Sequence, residues 1–116
     1  MPLLHVVSLR FRDDLSDADI IAHMRRDVNL QARMPHLVMS WTFRKNETLR
    51  ERAEANGGCG WVVMSKLFRA EDLQAYIDHE QHRQVAAIQR DLITNKFVVD
   101  FVVGEEEFTM SALPAM

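Results

Sequence analysis

Residues 61–93, WVVMSKLFRAEDLQAYIDHEQHRQVAAIQRDLI, decide the architecture of this chain. Trp61 to Phe68 is rich in β-branched and aromatic residues, which predicts a strand. From Arg69 to Asp78 the pattern turns helical, with Leu73, Tyr76 and Ile77 on one stripe. A second helix is expected from about Glu80 to Ile93, where Val85, Ala86, Ile88, Gln89 and Leu92 recur at helical spacing. A strand therefore leads into a helix split in two. The split falls inside Tyr76-Ile77-Asp78-His79-Glu80-Gln81-His82, the run of the chain richest in proton-handling groups.

Upstream, Leu3–Phe11 (LLHVVSLRF) alternates strictly. His5, Val7, Leu9 and Phe11 fall on one face and Val6, Ser8 and Arg10 on the other, the pattern of a half-buried strand. Ser16 with Asp19 three positions later resembles a capping box, and Ile20, Ile21, Met24, Val28 and Ala32 then predict one helix closed by Pro35. Leu37 to Phe43 is expected to be a second strand, although its apolar residues do not alternate cleanly. Residues 45–58 are polar, end in Gly57-Gly58, and allow either a loop or a short charged helix. Downstream, Phe97 to Val103 predicts a fourth strand, apolar on both faces apart from Asp100.

The order β-α-β-β-α-β, with the second α divided, predicts an α+β, ferredoxin-like fold with helices on one face of an antiparallel sheet. Both sheet faces are largely apolar (compare Val62 and Met64 with Val63 and Ser65, and Phe97, Val99 and Phe101 with Val98 and Val102), so the face away from the helices calls for a second cover. The economical cover is a second copy, giving a homodimeric α+β barrel. One domain over residues 1–103 and a tail over 104–116 are expected.

Composition narrows the function classes. A net charge of -3 offers no basic surface for nucleic acid, and no apolar run is long enough to span a membrane. The start MPLLHVV lacks the pattern of a signal peptide, and Cys59 is the single cysteine, so a reducing, cytoplasmic setting is expected. Cys59 has no basic neighbour to activate it. No phosphate loop, nucleotide fingerprint or Ser-His-Asp signature occurs.

Leu4-His5-Val6-Val7, the Trp61–Phe68 strand, the Tyr76-x-x-His79-x-x-His82 run and Val98-Val99-Asp100-Phe101 together resemble the stress-responsive dimeric A/B-barrel family over roughly residues 3–103. Within it the chain is similar to a plant cyclase that closes linear polyketides by intramolecular aldol condensation. The resemblance implies catalytic roles for Tyr76 and His82, with support from His5, and no cofactor or metal. The chain also departs from that pattern. Glu80 replaces a proline usual between the two histidines, Met24 and Asp27 stand where the cyclase has aromatic pocket residues, and Val62 replaces a pocket histidine. A cleft lined by Val7, Leu9, Met24, Asp27, Val28, Val62, Met64, Val85 and Ala86 is expected to take a small, apolar, polyketide-like carbonyl ligand.

In this chemistry His82 is the base that removes an acidic C–H proton, and Tyr76 donates to the developing enolate oxygen. His5 orients one of them. On an unbroken helix Tyr76 and His82 would lie roughly 120° apart, so a bend at Asp78–Glu80 is a requirement. Plainer roles compete: Tyr76 as core, His82 and His5 as buried structural histidines, His79 as a helix-junction cap, and His23 and His36 as surface groups. His79-x-x-His82 with His5 also has the makings of a metal site, though no Cys or acidic cluster reinforces it. A non-catalytic ligand-binding dimer and a haem- or metal-dependent enzyme on the same barrel are the alternatives from other classes.

Overall fold

A computed structural model describes residues 1–47 and 58–104. Strand β1 (Leu3–Phe11) alternates buried and less buried residues as its sequence does, with the odd positions buried. Ser16 ends the following turn. Its hydroxyl accepts from the Asp19 backbone N–H at 3.1 Å and starts helix α1 (Asp17–Asp27), whose Ile20 and Met24 face the core. Replacing Ser16 by alanine orphans that donor and is expected to cost about 1 kcal/mol of stability, measured by urea unfolding.

The single helix expected up to Pro35 is in fact two. Val28 leaves helical geometry, and Asn29 caps a short helix α2 (Leu30–Arg33) by accepting from the Ala32 N–H at 3.1 Å. Asn is a strong N-cap residue, so a local side-chain bond outweighs the continuous apolar stripe. Val28, Leu30 and Met34 are all buried at this bend.

Strand β2 (Val38–Lys45) pairs with β3 (Trp61–Leu67), and its register shifts between Val38 and Ser40. That bulge explains the poor alternation of its sequence. Past it, Trp41 and Phe43 lie opposite Ser65 and Val63, on the helix-facing side. A 3₁₀ turn (Ala70–Asp72) then leads into α3 (Leu73–Asp78) and α4 (Glu80–Arg90). Strand β4 (Ile93–Val102) starts earlier than expected because Leu92 and Asp91 close α4, and Ile93 already pairs with Phe11.

The sheet order is β2-β3-β1-β4, all antiparallel, which is the α+β ferredoxin-like arrangement with its four strands. Leu3, Val7, Leu9, Phe11, Trp61, Val63 and Leu67 pack against Ile20, Met24, Val28, Tyr76 and Val85 in one core. On the opposite side of the sheet, Met64 (37% exposed), Phe97 (54%), Val99 (56%) and Phe101 (47%) have no cover among the described residues. Residues 48–57 and 105–116, which include most of the polar 45–58 segment and of the expected tail, lie outside the described residues. No described helix is long and apolar enough to cross a membrane.

Candidate active site

The break between α3 and α4 brings Tyr76 and His82 together. His79 has extended backbone (φ -62°, ψ 138°), and its ring Nδ1 accepts from the Gln81 N–H at 3.1 Å to cap α4. Glu80 occupies the first turn, where an acidic side chain is favoured by the helix dipole. The bend sets the Tyr76 and His82 rings edge to face at 4.7 Å between centroids. From the sheet below, the His5 ring lies 5.5 Å from that of Tyr76. Three elements thus supply one ring each.

Register supplies the remaining polar groups. His5 lies opposite Ser65 of β3 on one side and Asp100 of β4 on the other. His5 Nδ1 is hydrogen-bonded to Asp100 Oδ1, which fixes the ring orientation and leaves Nε2 for the cavity. The cavity has a volume of ≈ 220 Å³. His5, Ser65, Tyr76, His82 and Asp100 form its polar end, Val7, Val28, Val63, Val85, Ala86 and Val98 its apolar walls, and Gln89 and Lys96 also line it.

Electrostatics differentiate the rings. Burial pushes the Tyr76 phenol up to about 12; the adjacent Ser65 hydroxyl opposes the shift and the Asp100 charge adds to it. Tyr76 is therefore a firm O–H donor across the physiological range. Its Oη and Ser65 Oγ are buried without a hydrogen-bond partner of proper geometry among the described residues, as is Nε1 of Trp41, the residue opposite Ser65. Orphaned buried polar atoms are costly, and a ligand oxygen would satisfy the phenol. His82 is held below the usual histidine range, first by burial and then by the neighbouring His5 and Lys96, while a hydrogen bond to the Ile77 backbone pulls the other way. It is neutral at pH 7, as a base must be.

Of the residues expected in the cleft, Val7, Val28, Val85 and Ala86 line the cavity together with Tyr76, His82 and His5. The others lie elsewhere. Leu9 and Met24 are fully buried in the core next to the cavity and do not line it. Asp27 is turned to the surface, bonded to Arg26 at 3.0 Å and within 3.5 Å of His23. Val62 and Met64 pair with Ser8 and Val6 on the opposite sheet face; Val63 and Ser65 point inward instead. Asp100, Ser65 and Lys96 were not anticipated. Asp100 had a signal, being the single charged residue of an otherwise apolar strand segment.

His79, the other half of the possible metal pair, caps α4 and stands 5.7 Å from the His36 ring, whereas His82 faces Tyr76. Among the described residues no group of three or more metal-binding side chains is placed to share an ion. Cys59 is buried, and burial raises its thiol pKa.

The fold recurs in solved structures. The At3g17210 protein of Arabidopsis thaliana superposes with a TM-score of 0.76 at 19% identity, covering 91% of this chain and 99% of its own. A hydroxynitrile lyase from Passiflora edulis matches with a TM-score of 0.75 at 17% identity, over 93% of this chain and 97% of its own. A dimeric ferredoxin-like protein of unknown function from Thermobifida fusca matches at 0.66 and 22% identity, over 89% and 92% respectively. No curated protein sequence is significantly similar. The sequence profile of the Stress responsive A/B Barrel Domain matches residues 3–103, the stretch that carries the whole sheet and the helices packed on it, and the chain belongs to that family.

Proposed function

We propose that this protein is a cofactor-independent acid–base enzyme acting on a small carbonyl compound, by intramolecular aldol closure of a polyketide-like chain. The observation that carries the proposal is the convergence of Tyr76, His82 and His5 on one cavity with an orphaned phenol and a neutral imidazole. His82 removes a proton from the carbon between two carbonyls. The electron pair moves into the carbonyl, and the resulting enolate oxygen accepts from Tyr76 Oη–H. The enolate carbon attacks a second carbonyl carbon, and the new alkoxide recovers the proton from His82. Asp100 holds His5 in one tautomer at the polar end.

The finer likeness, to the plant olivetolic acid cyclase, rests on Tyr76, His82 and His5. The altered walls, with Val28, Val85 and Val98 around a cavity of ≈ 220 Å³, favour a shorter substrate than a long-chain polyketide. A second reading is a C–C lyase step on a small hydroxynitrile, favoured by that volume and by the lyase on the same fold. There the same base would take the hydroxyl proton as the C–C bond breaks to leave a carbonyl, and the departing cyanide would take that proton from His82 to leave as hydrogen cyanide.

The working unit in this proposal is a homodimer. The exposed Phe97, Val99 and Phe101 support it, as do neighbours described as dimeric. The lone, buried Cys59 is consistent with a cytoplasmic setting.

Incubating the protein with short poly-β-keto compounds and, separately, with aliphatic hydroxynitriles decides between the two reactions. Tyr76→Phe is expected to lower kcat on the true substrate by about 10²-fold, since it removes one oxyanion donor and keeps the ring packing. Turnover of neither class by the wild type, or full activity in Tyr76→Phe, rules out this chemistry.

A further inference from the structure

We propose that Lys96 is an anion anchor in the cavity, and that the ligand is a keto acid whose carboxylate sits at Lys96 while its reacting carbonyl sits at Tyr76. This rests on the function proposed above and adds the substrate class.

Lys96 lines the cavity from β4, on the same strand face as Val98 and Asp100, opposite Leu9. Lys96 is exposed on the edge strand, so it stands at the solvent-facing rim of the cavity. The wall residues between it and the polar end, Val98 and Val7, are apolar. No ion pair among the described residues includes Lys96, whereas the cavity's own carboxylate, Asp100, is engaged by His5. The cavity lining thus carries a carboxylate already bonded to His5 and, four residues back along β4, an exposed ammonium at the rim that no ion pair among the described residues engages. Val98 and Val7 form the apolar floor between them. Lys96 and Asp100 are four residues apart along the strand, which is roughly 13 Å between Cα atoms. Since a lysine side chain reaches several ångströms, the complementary ligand has an acidic end, an apolar middle of a few carbons and a carbonyl end. Gln89 of α4, which also lines the cavity, offers an amide to the same acidic end. The positive charge reaches His82 as well, so an anion seated there also returns some basicity to the base.

The test compares binding of a medium-chain keto acid, 6-oxoheptanoic acid, with that of its methyl ester, by fluorescence or NMR titration. The wild type is expected to bind the acid about tenfold more tightly than the ester, a preference that weakens with added salt. Lys96→Met keeps the stem and removes the charge; it should bind both alike, and Lys96→Glu should favour the ester. Tyr76→Phe and His82→Ala should retain the acid preference even where they abolish turnover, so failure of the catalytic proposal and failure of this one are separable. Equal affinity of the wild type for acid and ester, including none for either, overturns the proposal, as does an acid preference that persists in Lys96→Met.

Discussion

His82→Ala is expected to lower kcat by about 10²–10⁴-fold, the range for loss of a positioned general base. KM should change little, because the imidazole faces Tyr76 and the wall formed by Val85 and Ala86 stays in place. The pH profile gives the sharper signature. The active form has neutral His82, whose pKa is held below the usual histidine range of 6.5 by burial and by the neighbouring His5 and Lys96. Wild-type kcat/KM should therefore be flat through neutrality and fall only as pH drops through a value below 6.5. The basic limb belongs to Tyr76 and is displaced towards about 12, so activity persists past pH 10, where an ordinary tyrosine ionises. Stability follows the same groups. The lowered His82 pKa contributes stability that is complete above 6.5 and lost as pH falls through its folded value; the raised Tyr76 pKa contributes stability lost between 10 and about 12. Unchanged kcat in His82→Ala, or a profile that falls already between pH 8 and 7, would remove His82 from the mechanism.

The second large effect concerns assembly. Val99→Asp is expected to convert the proposed homodimer into monomers. Val99 is 56% exposed on the uncovered sheet face, so the substitution leaves the core of one chain intact. In a two-fold dimer each substitution occurs twice, and burying two unpaired carboxylates against apolar partners costs several kcal/mol. The dimer dissociation constant should rise by at least about 10²-fold, read by sedimentation equilibrium alongside circular dichroism to show that the chain still folds. A wild type that sediments as a monomer, or a variant that stays dimeric, would contradict the proposed use of this face.

The fold was largely legible in the chain because β1 alternates without error and the stripe of the second helical region has a clear break at His79, although the break between α1 and α2 was hidden under a continuous apolar stripe. The phase of β3 was not. Trp61-Val62-Val63-Met64 is apolar at every position, so period two gives no hint of which residues face the helices. Pairing of Val63 with Val7 decides it, and that is a contact between distant segments. The same limit hid the partnership of His5 with Asp100, which are 95 residues apart. Tyr76 and His82 were legible as a pair because the bend they need lies between them and His79 is suited to cap it. Met24 and Leu9 misled for an opposite reason: apolar residues on the correct face fill the core as readily as they line a cavity, and only packing separates the two.

The row Ser65–His5–Asp100 is fixed by strand register, and this has a consequence for how the protein spends conformational entropy. A slip of one residue would put Leu4 or Val6 where His5 stands and turn the whole buried face of β1 to the other side. The native sheet cannot form without setting these three side chains in line. The order that the proposed proton transfer demands is therefore established when the chain folds, and little is left to impose when a ligand arrives.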